Sequence, residues 1–289
     1  MGDGAYAVTH PRRVGATWER VRAWAAPRLE LLVALAVVLA FVVMACWPSL
    51  LTGQDPLAAH PADALAAPSW EHWFGTDAIG RDQFSRVAHG AMASLRSGLI
   101  AVAIGLGAGS VLGVAAGFGP RLLDTAIARV CDALLAIPGL LLALALLASF
   151  GQGVTVAAIA IGVSDVPLFT RMMRSEVRRV AATTYVEAAG AVGVRPLAIA
   201  ARHVLPNAWG PVLVLATLAF GQAILVISAL SFLGFGEPPP APEWGALIAE
   251  GQRYLATAWW LAVLPGAVLA VVVLAINRLG HAARHLGRA

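Results

Sequence analysis

The sequence predicts an all-α integral membrane protein, with six transmembrane helices and both termini in the cytoplasm. Three observations carry this. The chain is 59% hydrophobic and 12% charged, with mean hydropathy +0.77, whereas soluble domains carry about 25% charge. Six apolar runs are each about twenty residues long, enough to cross the bilayer as a helix. The third observation is the arginine distribution. All twenty basic residues are arginine. With the N-terminus inside, sixteen face the cytoplasm: five before residue 30, Arg121 and Arg129, six between 171 and 202, and three after 277. Arg81, Arg86 and Arg253 lie outside and Arg96 at a boundary, so the positive-inside rule fixes the orientation.

The apolar runs fall near 30–50, 96–118, 132–150, 153–172, 208–230 and 258–278. Little more than Gly151-Gln152-Gly153 separates the third from the fourth, which predicts a tight helical hairpin. The second run carries Gly105, Gly109, Gly113 and Gly117 on one helix face, a seam for close packing against a neighbour. Ahead of the first run, Trp18–Trp24 alternates apolar residues with arginines and fits a short interfacial helix. Residues 1–29 are therefore expected to form a cytoplasmic tail with that helix, and 30–289 a single membrane domain. The outer segments, 52–92 and 237–242, are too short for an independent core. The polar start does not look like a cleaved signal peptide.

Several functions are excluded by composition. A phosphate-binding Walker loop needs a lysine, as does Schiff-base chemistry, and there is none. Basic residues dispersed to the ends of apolar runs argue against nucleic acid and for membrane lipid as the surrounding partner. Cys46 and Cys131 read as apolar packing residues. No protease signature lies in a span. His281 and His285 share a helix face but have no carboxylate nearby, so no metal site is expected. Two acids approach the membrane. Asp132 has Arg129 one turn before it, which predicts an interfacial pair. Asp165 lies deeper, where a carboxylate is costly. It either faces a pathway or, in Ser164-Asp165-Val166-Pro167, caps a restarted helix with Pro167 in its first turn.

One stretch is polar where the rest suits lipid. Residues 183–207 include Tyr185-Val186-Glu187-Ala188-Ala189-Gly190-Ala191-Val192-Gly193 and Arg202-His203-Val204-Leu205-Pro206-Asn207. They describe a short helix, a turn freed by Gly193, and a second short helix ending at Leu205-Pro206.

This segment resembles the Glu-Ala-Ala loop of bacterial ABC importer permeases. The resemblance widens with His72–Asp82, Asp132–Pro138, Ala229–Gly236, and Trp244-Gly245 followed by Glu250-Gly251 and Tyr254-Leu255, together covering about residues 70–280. These are similar to the peptide and nickel branch, and within it to the second permease of a dipeptide or oligopeptide importer. His203 departs from the broad pattern, which has an apolar residue there. The resemblance implies a type I importer permease fold in a bacterial inner membrane, with no catalytic residue and no cofactor of its own. It assigns ATPase docking to Glu187, Ala188, Ala189, Gly193, His203, Leu205 and Pro206. Its implied partners are a second permease, two cytoplasmic ATPase subunits that bind ATP and magnesium, and an extracytoplasmic substrate-binding protein. Read from the residues themselves, the outer segments are expected either to meet that binding protein, through Asp77, Arg81, Asp82, Glu237 and Trp244, or to cap the pathway. Asp165, for which nothing is carried over from the family, is the candidate on the translocation pathway.

Overall fold

The computed structural model describes the backbone of residues 15–286 and the side chains of 30–280 and 282. Among the described residues the regular secondary structure is helical, apart from one isolated bridge between Thr76 and Asp82. The elements are α1 (Gly15–Cys46), α2 (Gln83–Phe118), α3 (Arg121–Leu135), α4 (Gly139–Phe150), α5 (Val154–Ala181), α6 (Thr184–Ala191), α7 (Pro196–Ile199), α8 (Leu205–Leu230), α9 (Trp244–Gln252) and α10 (Trp260–Leu286). Residues 18–24 are helical and continuous with α1; their side chains, like those of His281 and His285, lie outside the described residues.

Four helical stretches, Gln83–Phe118, Val154–Ala181, Pro196–Phe235 and Trp260–Gly280, are long and apolar enough to cross a membrane. Glu30–Cys46 is a shorter apolar helix, ended where Pro48 disfavours helical backbone in the residue before it. The stretch expected as one span over 132–150 is instead broken: α3 and α4 meet at 84°. Pro138 supplies the reason, since its ring disfavours helical backbone at Ile137. α4 then turns back onto α5 through Gly151 and Gly153, both at positive φ, giving the expected hairpin. The second span starts much earlier than its apolar run, at Gln83, because Asp82 caps it by accepting from the Ser85 amide at 2.6 Å.

α2 and α5 pack along the glycine seam. A Cβ on Gly109 would lie 2.5 Å from Phe169 Cβ, and one on Gly113 2.6 Å from Met173 Cβ. One on Gly117 would lie 2.4 Å from Val177 Cγ1, so both helices advance in step and run parallel. One buried cluster joins α2, α4, α5 and α8; another joins α1, α2, α8, α9 and α10 around Trp244. Gly221 meets Asn277, and Arg278 pairs with Glu30 at 2.9 Å. Residues 30, 116–124, 174–208 and 277–280 therefore gather at one end of the bundle. Most of the arginines among the described residues are at that end, the cytoplasmic one by charge.

Candidate functional site: a displayed inner segment and a locked outer loop

At the cytoplasmic end, α5 runs into α6 through Ala182 and Thr183. α6 is followed by a turn in which Gly193 takes φ +84°, a conformation that a side chain resists. α7 begins at Pro196, where the missing N–H costs nothing. The expected stop at Leu205-Pro206 does not occur. A π-helical turn over Ala200–Val204 joins α7 to α8, and the Leu205 amide reaches back to Ala200 O. Widening the helix one turn ahead of Pro206 makes room for its ring, so the segment continues into the 40-residue stretch Pro196–Phe235.

The segment is anchored on one side only. Val186 and Val204 are buried in one cluster with Met173, Val177 and Val180 of α5 and Ala208 of α8. Tyr185 Oη donates to His203 O at 3.1 Å, Asn207 Nδ2 donates to the same oxygen at 2.7 Å, and the His203 ring lies edge-on to Tyr185. Glu187, Ala188, Gly193 and Pro206 are exposed; Ala189, His203 and Leu205 are half-buried. Val192 and Leu197 flank the turn at 80% and 85% exposure, an apolar pair at the tip that sequence reading passed over. Their signal was present, since each is a large apolar residue inside a polar island.

The outer end is built in the opposite way. Asp77 accepts from the Ile79 and Arg81 amides, from Arg81 Nε at 2.6 Å, and from an Arg86 guanidinium nitrogen at 3.0 Å. The same Arg86 nitrogen donates to Glu250 at 2.8 Å, and Arg86 is 1% exposed. Gly80, at φ +81°, lies against His60, whose carbonyl would clash with any Cβ there. Asp82 holds His72 as well as the α2 cap. Trp244 is fully buried, its indole donating to Val87 O at 3.0 Å. Ahead of it Glu243 caps α9 on the Gly245 and Ala246 amides. Burial pushes the Glu243 carboxyl above its usual range, against the pull of those two amides.

Asp77, Asp82 and Trp244 are therefore withdrawn from the expected binding-protein surface. Burial commits them to loop and helix architecture, whereas Glu237 is exposed and Arg81 half-buried. Asp77, Arg81, Arg86, Glu237, Glu250 and Tyr254 line an outward cleft of about 690 Å³.

Two membrane acids are also reassigned. Asp132 pairs with Arg171 of α5, not with Arg129, because the α3–α4 bend turns its side of α3 toward α5. Asp165 is not a cap, since α5 is continuous from Val154 to Ala181 with Pro167 inside it. Pro167 is buried where neighbouring helices pack, which is how membrane helices accommodate proline. Asp165 is half-buried against Gly105 of α2 and has no hydrogen bond among the described residues.

Residues 109–283 match the family model described as the binding-protein-dependent transport system inner membrane component. The chain belongs to this family. It is a multi-pass inner-membrane protein and a permease subunit of an ABC importer. It is 40% identical over 253 residues to the dipeptide transport system permease protein DppC of Alkalihalophilus pseudofirmus, covering 88% of this chain and 83% of that one. The di/tripeptide permease DppC of Pseudomonas aeruginosa is also 40% identical, over 86% of this chain and 84% of its own. A glutathione permease, GsiD of Escherichia coli, is 36% identical over 97% of this chain and 93% of its own. The inward-facing MetNI methionine ABC transporter aligns with TM-score 0.56 at 19% identity, over 70% of this chain and 95% of that one. That likeness establishes the fold, the type I importer permease fold expected above.

Proposed function

We propose that this permease forms half of the translocation pathway of an ATP-driven importer of short peptides, and that segment 183–207 is where cytoplasmic ATPase subunits dock. One observation carries the docking: a helix–turn–helix held to α5 and α8 by its inner face and exposing Glu187, Val192, Gly193 and Leu197 at its tip. The segment is rooted in α5 and in α8, so a push on it moves two spans together. A single helical bundle of this kind makes half of a two-sided path, so a second permease completes it. ATP and magnesium belong to the two ATPase subunits, and an outer binding protein delivers substrate onto the exposed surface around Ile79 and Glu237. A docked segment transmits free energy only if its fit differs between the inward- and outward-facing states. Peptide is the favoured cargo because the relatives at about 40% identity are named for dipeptides and di/tripeptides; nickel or another small solute is the alternative.

Asp165 is the residue proposed to face the pathway, its carboxyl without a hydrogen bond or ion pair among the described residues beside the α2–α5 seam. Proteoliposomes holding the two permeases, the ATPases and the co-encoded binding protein test the reading. ATP-dependent uptake of a labelled dipeptide is expected, together with no nucleotide turnover by this chain alone. Uptake of nickel without peptide would replace the cargo. ATPase activity of the isolated chain would sink the reading. Asp165→Asn should lower uptake of cationic peptides selectively; unchanged uptake removes the charge from the mechanism.

A further inference from the structure

α3 has three faces. At about 100° per residue, Asp124 and Cys131 form the buried face. Asp124 is held by Arg174 and by Arg178, the latter at 2.7 Å, and Asp132 by Arg171. Leu122, Ala126, Val130 and Ala133 form a second, exposed apolar stripe, with Leu122 at 83% and Val130 at 60% exposure. Arg121, Thr125 and Arg129 lie beside that stripe, with Asp132 between Arg121 and Thr125 and its charge taken up by Arg171. Arg121 and Arg129 are exposed, and neither has a carboxylate partner among the described residues.

The depth of α3 follows from its partners. Helix α5 starts at Val154 at the outer end. At 1.5 Å per residue, about 30 Å of hydrocarbon takes it to roughly residue 174. Arg171, Arg174 and Arg178 therefore stand at the cytoplasmic headgroup level, and α3, tied to all three, stands there too. The 84° bend turns it away from the axis of α4. A helix at that depth with an apolar stripe, a basic stripe and a third face fixed to protein has the makeup of an interfacial helix.

We propose that α3 is an anionic-phospholipid-binding surface of the cytoplasmic leaflet. Leu122, Ala126, Val130 and Ala133 enter the acyl boundary, and Arg121 and Arg129 hold the phosphate headgroups. A bilayer surface is favoured over a protein partner because the free charges are both positive and the leaflet supplies the negative ones. The proposal does not depend on what the importer carries. It concerns α3 alone, so peptide transport and lipid binding can fail separately.

The test uses the intact importer complex in detergent, titrated with phosphatidylglycerol or phosphatidylcholine, with bound lipid counted by native mass spectrometry. Phosphatidylglycerol is expected to bind preferentially. At about 1 kcal/mol per arginine near the surface, the double variant Arg121→Gln/Arg129→Gln should lose roughly 30-fold in affinity. Its thermal midpoint should not move, because both side chains are exposed. A nitroxide on Leu122→Cys, in nanodiscs, should report acyl-boundary depth. Equal retention of the two lipids, an undiminished affinity in the double variant, or a nitroxide immobilised against the second permease would each overturn the proposal.

Discussion

The outer loop around Asp77–Arg86 and the inner segment 183–207 are the two most motif-like regions of this chain, and they are built oppositely. The outer loop folds its signature inward: Asp77, Asp82, Arg86, Glu243 and Trp244 are buried, each with a hydrogen-bond partner inside the fold. The inner segment keeps only Val186 and Val204 inside and displays the rest. Recognisable residues therefore serve two purposes here. Outside, they hold a loop of tight turns rigid without a core of its own, while inside they present a face to something else. A substitution outside should be felt as stability, and one inside as coupling.

The largest effect is expected from Arg86→Leu. Its loss takes one of two arginines from the buried Asp77 carboxylate, which keeps Arg81, and leaves Glu250 with only the longer contact to Arg81. The cost is therefore at or below the low end of the about 3–5 kcal/mol for breaking a buried pair. Thermal melting of the purified complex should fall steeply, with little folded protein recovered. A melting point near wild type would mean that the outer cluster is not structural, and the contrast would collapse. Glu243→Ala comes next. It strips two amides and the α9 cap of their acceptor in a fully buried place, for about 2 kcal/mol. Glu243→Gln, which keeps an acceptor, should recover most of it. The sign of the pH dependence is fixed by the raised carboxyl: its contribution is complete below the ordinary glutamate range and is lost as pH rises through the folded-state value. The Gln variant should therefore flatten the fall in stability with rising pH, and an unchanged pH profile would remove Glu243 as its source.

The inner segment should behave differently. Gly193→Val forces a β-branched residue to φ +84° in open space, costing about 1–3 kcal/mol locally. The expected outcome is a small change in melting with a large loss of ATPase co-purification or of transport-coupled hydrolysis. Wild-type coupling in this variant would show that the turn does not aim the segment. Smallest in stability are Leu197→Ser and Val192→Ser, both on exposed residues and expected within about 0.5 kcal/mol. Each should nonetheless weaken co-purification of the ATPases, while Glu187→Arg changes it too if charge as well as apolar contact matters. Undiminished recovery of the ATPases with both serines would place docking elsewhere on the segment.

The order of the apolar helical units, the hairpin at Gly151–Gly153 and the glycine seam were legible because each depends on local sequence: length, glycine spacing and the absence of charge. So was the position of the 183–207 segment, as the polar interval between two apolar runs. Sequence alone also determined that no lysine-based nucleotide site exists and, through its arginines, which end faces the cytoplasm. Three features needed the tertiary structure. Pro206 and Pro167 read as helix breaks, yet both helices continue, because a π turn and buried helix packing absorb the ring and the missing amide. Asp132 read as the partner of Arg129 in its own helix, yet a bend at Pro138 sends it to Arg171. Asp77, Asp82 and Trp244 read as surface, yet they are core. Whether a polar side chain is displayed or buried depends on partners distant in the chain, as Arg86 with Glu250 and Trp244 with Val87 show. Local sequence fixes backbone preference and charge; only the assembled helices decide which of those charges find one another.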